Sequence, residues 1–320
     1  MNRPVLVTWI PTRRCNLKCK ECAVRDFPVE RELTTNQLME SFLKTRDRLG
    51  DVFHVILGGE PLLLDLETLI PFWESEQFKY ALCSNSFKLS HGRVNELISL
   101  GLSNWSVSIN TLDLSRDSRA KSGFEAIDLF RPKVPDIHCT ITISRSNIQE
   151  VIRLTEELNA RGVWTEHTFI HWAKNEHYDF ASKKIDKLAL TEADKHLIQY
   201  IANELARMQR AGYFVHTSPN WFDTWGEYAI DTNWRCKQPW VLVIDADGSL
   251  KPCLHLHGNR TRRLNILDNS WDWNDFFHAW ETDKREQCQG CYHDCAWQCH
   301  DLAEKGMSRE KILDWFAHRR

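Results

Sequence analysis

The chain lacks a long apolar run, a dominant charge, an internal repeat and a low-complexity tract. Each absence excludes something. With no long apolar stretch and a negative mean hydropathy, there is no candidate for a membrane-spanning helix. Residues 1–14 lack the apolar run that a secretory signal needs. A soluble, unexported, cytoplasmic protein is therefore expected. The formal net charge is -3, from 41 basic and 44 acidic side chains, so no global field favours nucleic acid or an anionic membrane. The Arg260–Arg263 cluster is too short to reverse that balance. The 320 residues suffice for one large domain or a domain with an appendage.

What is present in excess is tryptophan, at 14 residues, and cysteine, at 11. The cysteines cluster. Cys15, Cys19 and Cys22 lie near the start, and Cys236, Cys253, Cys288, Cys291, Cys295 and Cys299 crowd the last quarter. Only Cys83 and Cys139 stand alone. Without a signal peptide, reduced thiolates holding metal fit better than a disulfide framework.

The first half alternates two periods. Val5–Ile10, Val52–Leu57, Tyr80–Ser84, Trp105–Ile109, Ile137–Ile143 and Val163–Ile170 read as strands. Helical stretches separate them: from the Thr34 cap to Leu49, Leu66–Glu74, residues 91–100 and 122–130, and Asn147–Arg161. Such alternation means parallel strands with crossovers. It suits a partial (β/α)6 TIM-like barrel, with a doubly wound open sheet as the rival. Either fold puts chemistry at the carboxyl ends of the strands.

Ser106, Ser108 and Asn110 share one face of the fourth strand, and Thr140, Thr142 and Ser144 share one face of the fifth. Parallel strands buried on both sides are usually apolar on both, so a ligand-filled interior or a solvated edge is indicated. Residues 1–172 are expected to form the barrel core. Residues 173–235 form a bridge with a long helix at about 191–211 and an aromatic-rich stretch, and 236–320 form an accessory unit.

Cys15-x3-Cys19-x2-Cys22 directly follows the first strand. Three thiolates on one loop can each hold a different iron of a cubane, leaving the fourth iron open for a ligand. Structural zinc, with a Cys-x2-Cys pair and two remote thiols, is the competing reading. Gly58-Gly59-Glu60-Pro61 follows the second strand. Its glycines permit close backbone approach, and Glu60 with neighbouring carbonyls can accept from an ammonium.

Together these motifs resemble the radical S-adenosylmethionine enzymes. The resemblance implies a [4Fe–4S] cluster on Cys15, Cys19 and Cys22, and Gly58–Pro61 at the methionine amino group. It further implies that Ser84, Asn85, Ser108, Asn110, Ser144 and Arg145 contact the rest of S-adenosylmethionine, with Arg145 a candidate partner for its carboxylate. The family usually has a bulky residue just before the third cysteine, where this chain has Glu21. Adenine packing would then fall to Trp9 or Phe27.

In the second group, Cys236 and Cys253 flank the Trp240–Ile244 strand and an Asp247-Gly248 hairpin turn. Cys288-x2-Cys291-x3-Cys295-x3-Cys299 follows a helix expected at 272–282. This is similar to the SPASM and twitch extensions that hold auxiliary [4Fe–4S] clusters. Cys236, Cys253, Cys288 and Cys291 suit twitch-like ligation, with Cys295 and Cys299 as credible substitutes. Six thiolates complete one cubane and leave two over, so a second cluster stays open and would draw on other ligands such as His293 or His300. Structural zinc is again the alternative. Cys139 is expected in the core, while Cys83 is a candidate hydrogen donor to a substrate radical. The tryptophans are core or cap packing residues by default, with Trp221, Trp225, Trp234 and Trp240 placed where they could instead line a substrate cleft; Glu166, His167 and His171 are either neighbours in the same cavity or satisfied structural residues.

The resemblance implies that the reduced cluster cleaves S-adenosylmethionine to a 5′-deoxyadenosyl radical, which abstracts hydrogen from the substrate. The first expectation for substrate is a ribosomally made precursor peptide, crosslinked or epimerised. The alternative is a small molecule, an aminocyclitol, sugar or nucleoside, that is dehydrogenated or epimerised. An electron donor of flavodoxin or ferredoxin type is the expected partner. A catalytically silent metal-binding protein is the alternative of another class, and the intact cysteine triad argues against it.

Overall fold

The computed structural model describes residues 3–19, 22, 31–115, 117–134, 136–171, 187–218 and 220–317. Local signals start the helices. Thr34 accepts from the Gln37 backbone at 3.3 Å while the Gln37 side chain accepts from the Thr34 N–H at 3.0 Å, a capping box. It opens α1 (Thr35–Leu49), which follows β1 (Leu6–Trp9). The alternation continues through β2 (Phe53–Ile56), α2 (Leu66–Ser75), β3 (Lys79–Ser84), α3 (His91–Ser99), β4 (Asn104–Ser108), α4 (Ser118–Phe130), β5 (Asp136–Ile143), α5 (Val151–Ala160), β6 (Trp164–Phe169) and α6 (Lys195–Arg210). Then come α7 (Trp225–Tyr228), β7 (Val241–Ile244), β8 (Leu250–Lys251), α8 (Trp273–Gln287), α9 (Asp294–Glu304) and α10 (Arg309–Ala317).

One sheet contains all eight of these strands, in the order β6-β5-β4-β3-β2-β1-β7-β8. The first six are parallel to their neighbours and run across the sheet in chain order. A doubly wound sheet would reverse direction at β1; this one does not, so the partial barrel is the architecture. The sheet stays open, with β6 and β8 at its ends. The strand β7 also pairs in parallel with β1, Leu6 beside Val241, and antiparallel with β8. The sequence placed that strand only in the accessory hairpin; the hairpin grows out of the barrel sheet.

Register fixes the two faces. Leu82, Trp105, Val107, Cys139 and His167 share the face that meets the helices. Trp9 stacks on Phe42 of α1 at 4.1 Å, and Trp105 on Phe130 of α4 at 4.6 Å. Each such ring, fully buried, contributes roughly 1.5–3 kcal/mol. The opposite face carries Cys83, Ser106, Ser108, Thr140, Thr142, Glu166 and Thr168. Ser108, Thr140 and Thr142 remain half-buried while their apolar neighbours are buried, so the polar face lines the interior.

The helix α10 packs beneath the strands' amino ends. Its Arg309 donates to the carbonyls of Pro4, Leu49 and Asp51. No helix among the described residues is long and apolar enough to cross a membrane.

Candidate functional site

The two opening motifs meet as backbone. Gly59 donates to the Thr12 carbonyl and Glu60 to the Arg14 carbonyl, both at 2.8 Å. A Cβ on Gly59 would stand 1.9 Å from the Arg14 oxygen, and Gly58 holds a φ of +131° with a Cβ 2.6 Å from the Thr12 oxygen. Only glycine permits that approach. The loop carrying Cys15 is thus clamped to the end of β2.

Glu32 clamps the same loop from the other side. It accepts from the Thr12 hydroxyl at 2.9 Å, the Arg13 N–H at 2.7 Å and the Arg14 side chain at 3.1 Å. Arg13 in turn forms a buried pair with Asp245, just past β7, where Arg262 also reaches Asp245 at 3.3 Å. The sequence reading missed both Glu32 and the Arg13–Asp245 pair. Nothing in the local pattern signals a contact 232 residues apart.

Glu60 is buried, and its oxygens are committed within the protein. Oε1 accepts from the Ser84 hydroxyl at 2.7 Å and Leu62 N–H at 3.0 Å, and Oε2 from Asn85 N–H at 2.9 Å. Burial raises its carboxyl above the ordinary range despite those three donors. Asn85 then donates to Cys15 Sγ at 3.7 Å and to Asn16 Oδ1 at 2.9 Å. Gly58–Pro61, Ser84, Asn85 and Cys15 therefore form one connected group. The Cys15 thiol is pushed up by burial first, and further by Glu60 and Cys22. Cys22 N–H lies 3.3 Å from the Cys19 carbonyl. Glu21 and Phe27 lie outside the described residues.

The ends of the next strands are cross-braced. Asn110 accepts from Thr142 N–H at 2.8 Å, and Asn147 donates to the Asn110 carbonyl at 2.7 Å while accepting from Ser144 N–H at 2.8 Å. Ser108 lies in register with Thr140 on the inner face. Arg145 is exposed, with its guanidinium 3.9 Å from Asp194. Cys83 is half-buried on the inner face, beside Ser106. Cys139 faces the helices, with burial pushing its thiol up to about 12, as expected of a core residue.

Three open readings are decided in favour of packing. Trp9 is buried against α1, its indole N–H donating to His54 at 2.9 Å, so it is turned away from any adenine site. Trp221, Trp225 and Trp240 are buried outright and Trp234 nearly so; Trp221 stacks on Tyr292 at 4.4 Å. They build the core rather than a cleft. Glu166, His167 and His171 do not share one cavity. Alternation along β6 puts Glu166 on the inner face beside His216 at 3.1 Å, and His167 against Thr155 of α5 at 2.9 Å.

In the last quarter, Cys236, Cys253, Cys288 and Cys291 come together. Burial pushes the Cys253 thiol up to about 11, and Cys288 adds to it. Cys236 is raised by burial and then by Cys253 and Cys288, and Cys291 by burial and then by Cys236, Cys253 and Cys288. Cys288 Sγ accepts from Gly290 N–H and Cys253 Sγ from Leu256 N–H, both at 3.3 Å. Backbone donors aimed at sulfur, on four converged thiols, fit a metal–thiolate centre. The other two cysteines lie one turn apart on α9, in keeping with their four-residue spacing. Cys299 is buried within electrostatic reach of Cys236, and Cys295 sits beside Asp294 at 3.6 Å.

A sequence model of the Radical SAM superfamily matches residues 9–176, more than half of the chain. The chain belongs to that superfamily. Its members are enzymes that use a [4Fe–4S] cluster and S-adenosylmethionine. Curated relatives include an AdoMet-dependent heme synthase of Oleidesulfovibrio alaskensis, 25% identical over 178 residues, covering 52% of this chain and 45% of that protein. A pre-heme d1 synthase of Dinoroseobacter shibae is 33% identical over 121 residues, 36% of this chain and 29% of that one. The chain thus matches less than half the length of these relatives. Among solved structures, anSMEcpe with bound AdoMet and Cp18Cys peptide aligns with a TM-score of 0.64 at 14% identity, covering 98% of both chains. SuiB of Streptococcus suis aligns at 0.59 and 15%, over 79% of this chain and 61% of that one. These likenesses establish a shared fold.

Proposed function

We propose that this radical SAM enzyme acts on a peptide and carries one auxiliary [4Fe–4S] cluster. The observation that carries the radical chemistry is the joining of the Cys15–Cys22 loop to Gly58–Pro61 by backbone hydrogen bonds. Cys15, Cys19 and Cys22 would hold the first cluster, and Cys236, Cys253, Cys288 and Cys291 the auxiliary one. When bound, the first cluster and S-adenosylmethionine supply one-electron cleavage and hydrogen-atom abstraction. The chain's own residues do the positioning. Gly58 and Gly59 let backbone carbonyls approach the ammonium, and Glu60 fixes Ser84 and Asn85 at the end of β3. Asn110, Ser144 and Asn147 set the ends of β4 and β5. Holding a substrate carbon in one orientation and excluding water is the protein's share of such a reaction.

The lining of the interior supports a peptide. Ser108, Thr140 and Thr142, half-buried on the inner face, offer hydroxyls to amide groups, and the inward positions from Cys83 to Thr168 include no Lys or Arg. Solved proteins of this fold are described with bound peptides, SuiB with its precursor peptide SuiA among them. The names of the curated relatives favour a second reading, a tetrapyrrole. Its carboxylates would call for cationic partners, which those inward strand positions do not supply.

The test is anaerobic turnover of reconstituted enzyme with reductant and S-adenosylmethionine, offered either the short peptides encoded beside its gene or iron coproporphyrin. Release of 5′-deoxyadenosine coupled to hydrogen loss, or to solvent-deuterium uptake, in a peptide is expected. Coupled turnover of the porphyrin alone would overturn the peptide reading. Absence of 5′-deoxyadenosine with both would overturn the site assignment.

A further inference from the structure

The strand β8 carries a lysine into the interior. Lys251 is fully buried and is among the largest side chains that are. A lysine is almost never buried that far without charge to meet it. It lies opposite Val243 of β7, and Val243 lies beside Thr8 of β1. Trp9, one position on, packs against α1, so alternation puts Thr8, Val243 and Lys251 on the inner face. From there the Lys251 charge acts on two groups. One is Asp245, which already serves Arg13 and Arg262. The other is the Cys253 thiol, two positions further along the chain. A second lysine approaches the four thiols Cys236, Cys253, Cys288 and Cys291 from α8. The Lys284 ammonium donates to the Cys236 carbonyl and lies 4.7 Å from the Trp280 ring centroid. Its charge acts on the Cys236 thiol.

We propose that Lys251, with a smaller contribution from Lys284, raises the reduction potential of the auxiliary cluster, so that this cluster accepts an electron more readily than its four thiolates alone would allow. The inference rests on the reading of Cys236, Cys253, Cys288 and Cys291 as that cluster's ligands. A cubane held by thiolates gains one negative charge when it is reduced, and no bond forms or breaks. Its potential follows net charge, hydrogen bonds to sulfur and exposure to solvent. A neighbouring cation favours the more negative state, and the attraction grows as water is excluded. Lys251 is fully buried and acts with little screening. Lys284 is half-buried, so its effect is weaker. The Gly290 and Leu256 N–H groups that donate to Cys288 and Cys253 push the same way, but they belong to the backbone. The two lysines are the part of this field that side chains supply.

An anaerobic redox titration followed by electron paramagnetic resonance reads the potential without reference to turnover. It is run on the full chain reconstituted with iron and sulfide, with dithionite as the reductant. The same titration of Cys15→Ala identifies the auxiliary signal, because that chain keeps only the auxiliary cluster. Lys251→Met keeps the length of the side chain and removes its charge. At a fixed solution potential it should lower the ratio of reduced to oxidised auxiliary cluster at least tenfold, a fall of about 59 mV for one electron. Lys284→Met should lower the ratio by a smaller factor. Lys237→Met is the control: Lys237 adjoins Cys236 in sequence but is exposed and paired with Glu304 at 2.7 Å, and its loss should change the ratio less than about twofold. Iron and sulfide should match wild type in all three.

A ratio within about twofold of wild type in Lys251→Met with its irons intact would overturn the inference. So would a rise in the ratio, or an equal fall in Lys237→Met. If Lys251→Met fails to assemble the auxiliary cluster, Lys284→Met decides, and an unchanged ratio there overturns the inference. A wild-type chain that lacks the auxiliary irons altogether would instead overturn the ligand reading beneath it.

Discussion

Asp245 offers the sharpest test of how the accessory hairpin supports the first cysteine loop. Its carboxylate is buried, pairs with Arg13 through two hydrogen bonds and accepts from Arg262. Burial alone would raise the Asp245 carboxyl, but the Arg13 hydrogen bonds and charge outweigh it and hold it below the usual range. Asp245→Asn leaves the largely buried Arg13 guanidinium facing a neutral amide. Breaking a buried pair from one side costs about 3–5 kcal/mol. At about 2–4 °C per kcal/mol for a large domain, the melting temperature should fall by roughly 6–20 °C. Arg262 adds little to that cost, because it is partly exposed and can turn to Asp247, 3.7 Å away.

The double variant Arg13→Met/Asp245→Leu strands no buried charge in the pair and should be less destabilised than the sum of its two single changes. Because the folded carboxyl is depressed, its stabilisation is present above the unfolded value near ~3.9 and is lost as pH falls through the folded one. The deficit of Asp245→Asn should therefore be full at pH 7 and close only in acid. Scanning calorimetry of the anaerobically reconstituted protein reads the melt, and iron per chain reads the loop, since Arg13 lies two residues before Cys15. A melt within about 2 °C of wild type at pH 7 would refute the argument.

Other perturbations follow from the same geometry. Gly59→Ala forces a methyl into the Arg14 carbonyl and should abolish 5′-deoxyadenosine release, whereas Gly92→Ala, on the exposed start of α3, should leave it intact; equal activity of the two would count against the clamp. Cys15→Ala should remove about four irons and all cleavage. Cys288→Ala should also remove about four irons but spare cleavage while impairing substrate turnover, so loss of cleavage in both would merge the two roles. Burial raises the Glu60 carboxyl, so its contribution to stability is greatest below the unfolded value and is lost as pH rises through the folded one. In urea melts between pH 4 and 8, wild type should lose ground to Glu60→Gln as pH rises; a gain would reverse the assignment.

Most of the barrel was legible because its signals are local. Strand–helix alternation, the Thr34 capping box and the turn glycines need only a few neighbouring residues. The Cys15–Cys22 loop and Gly58–Pro61 were legible for a different reason: both combine fixed spacing with residue types that few alternatives explain. What sequence could not supply was long-range. The parallel pairing of β7 with β1 joins residues more than two hundred positions apart, and so does the Arg13–Asp245 pair. Aromatic residues left two readings open for a related reason. Trp9 and Trp221 have the same side chain whether they line a cleft or fill a core, and only the face they occupy decides.

The six late cysteines show how placement settles what counting leaves open. Six thiols exceed one cubane and fall short of two. Had the surplus pair stood together away from the others, a second, partly open cubane would be the natural reading. Instead α9 carries the pair one turn apart, a rise of about 6 Å, and the two meet different neighbours. Cys299 is buried within electrostatic reach of Cys236, one of the quartet. Cys295 lies at the first turn, beside Asp294 and within ligand reach of His293. A second cubane would have to take Cys299 away from the quartet's side and draw on ligands other than thiolate. Under the assignment proposed here, the chain should therefore hold about eight irons rather than twelve.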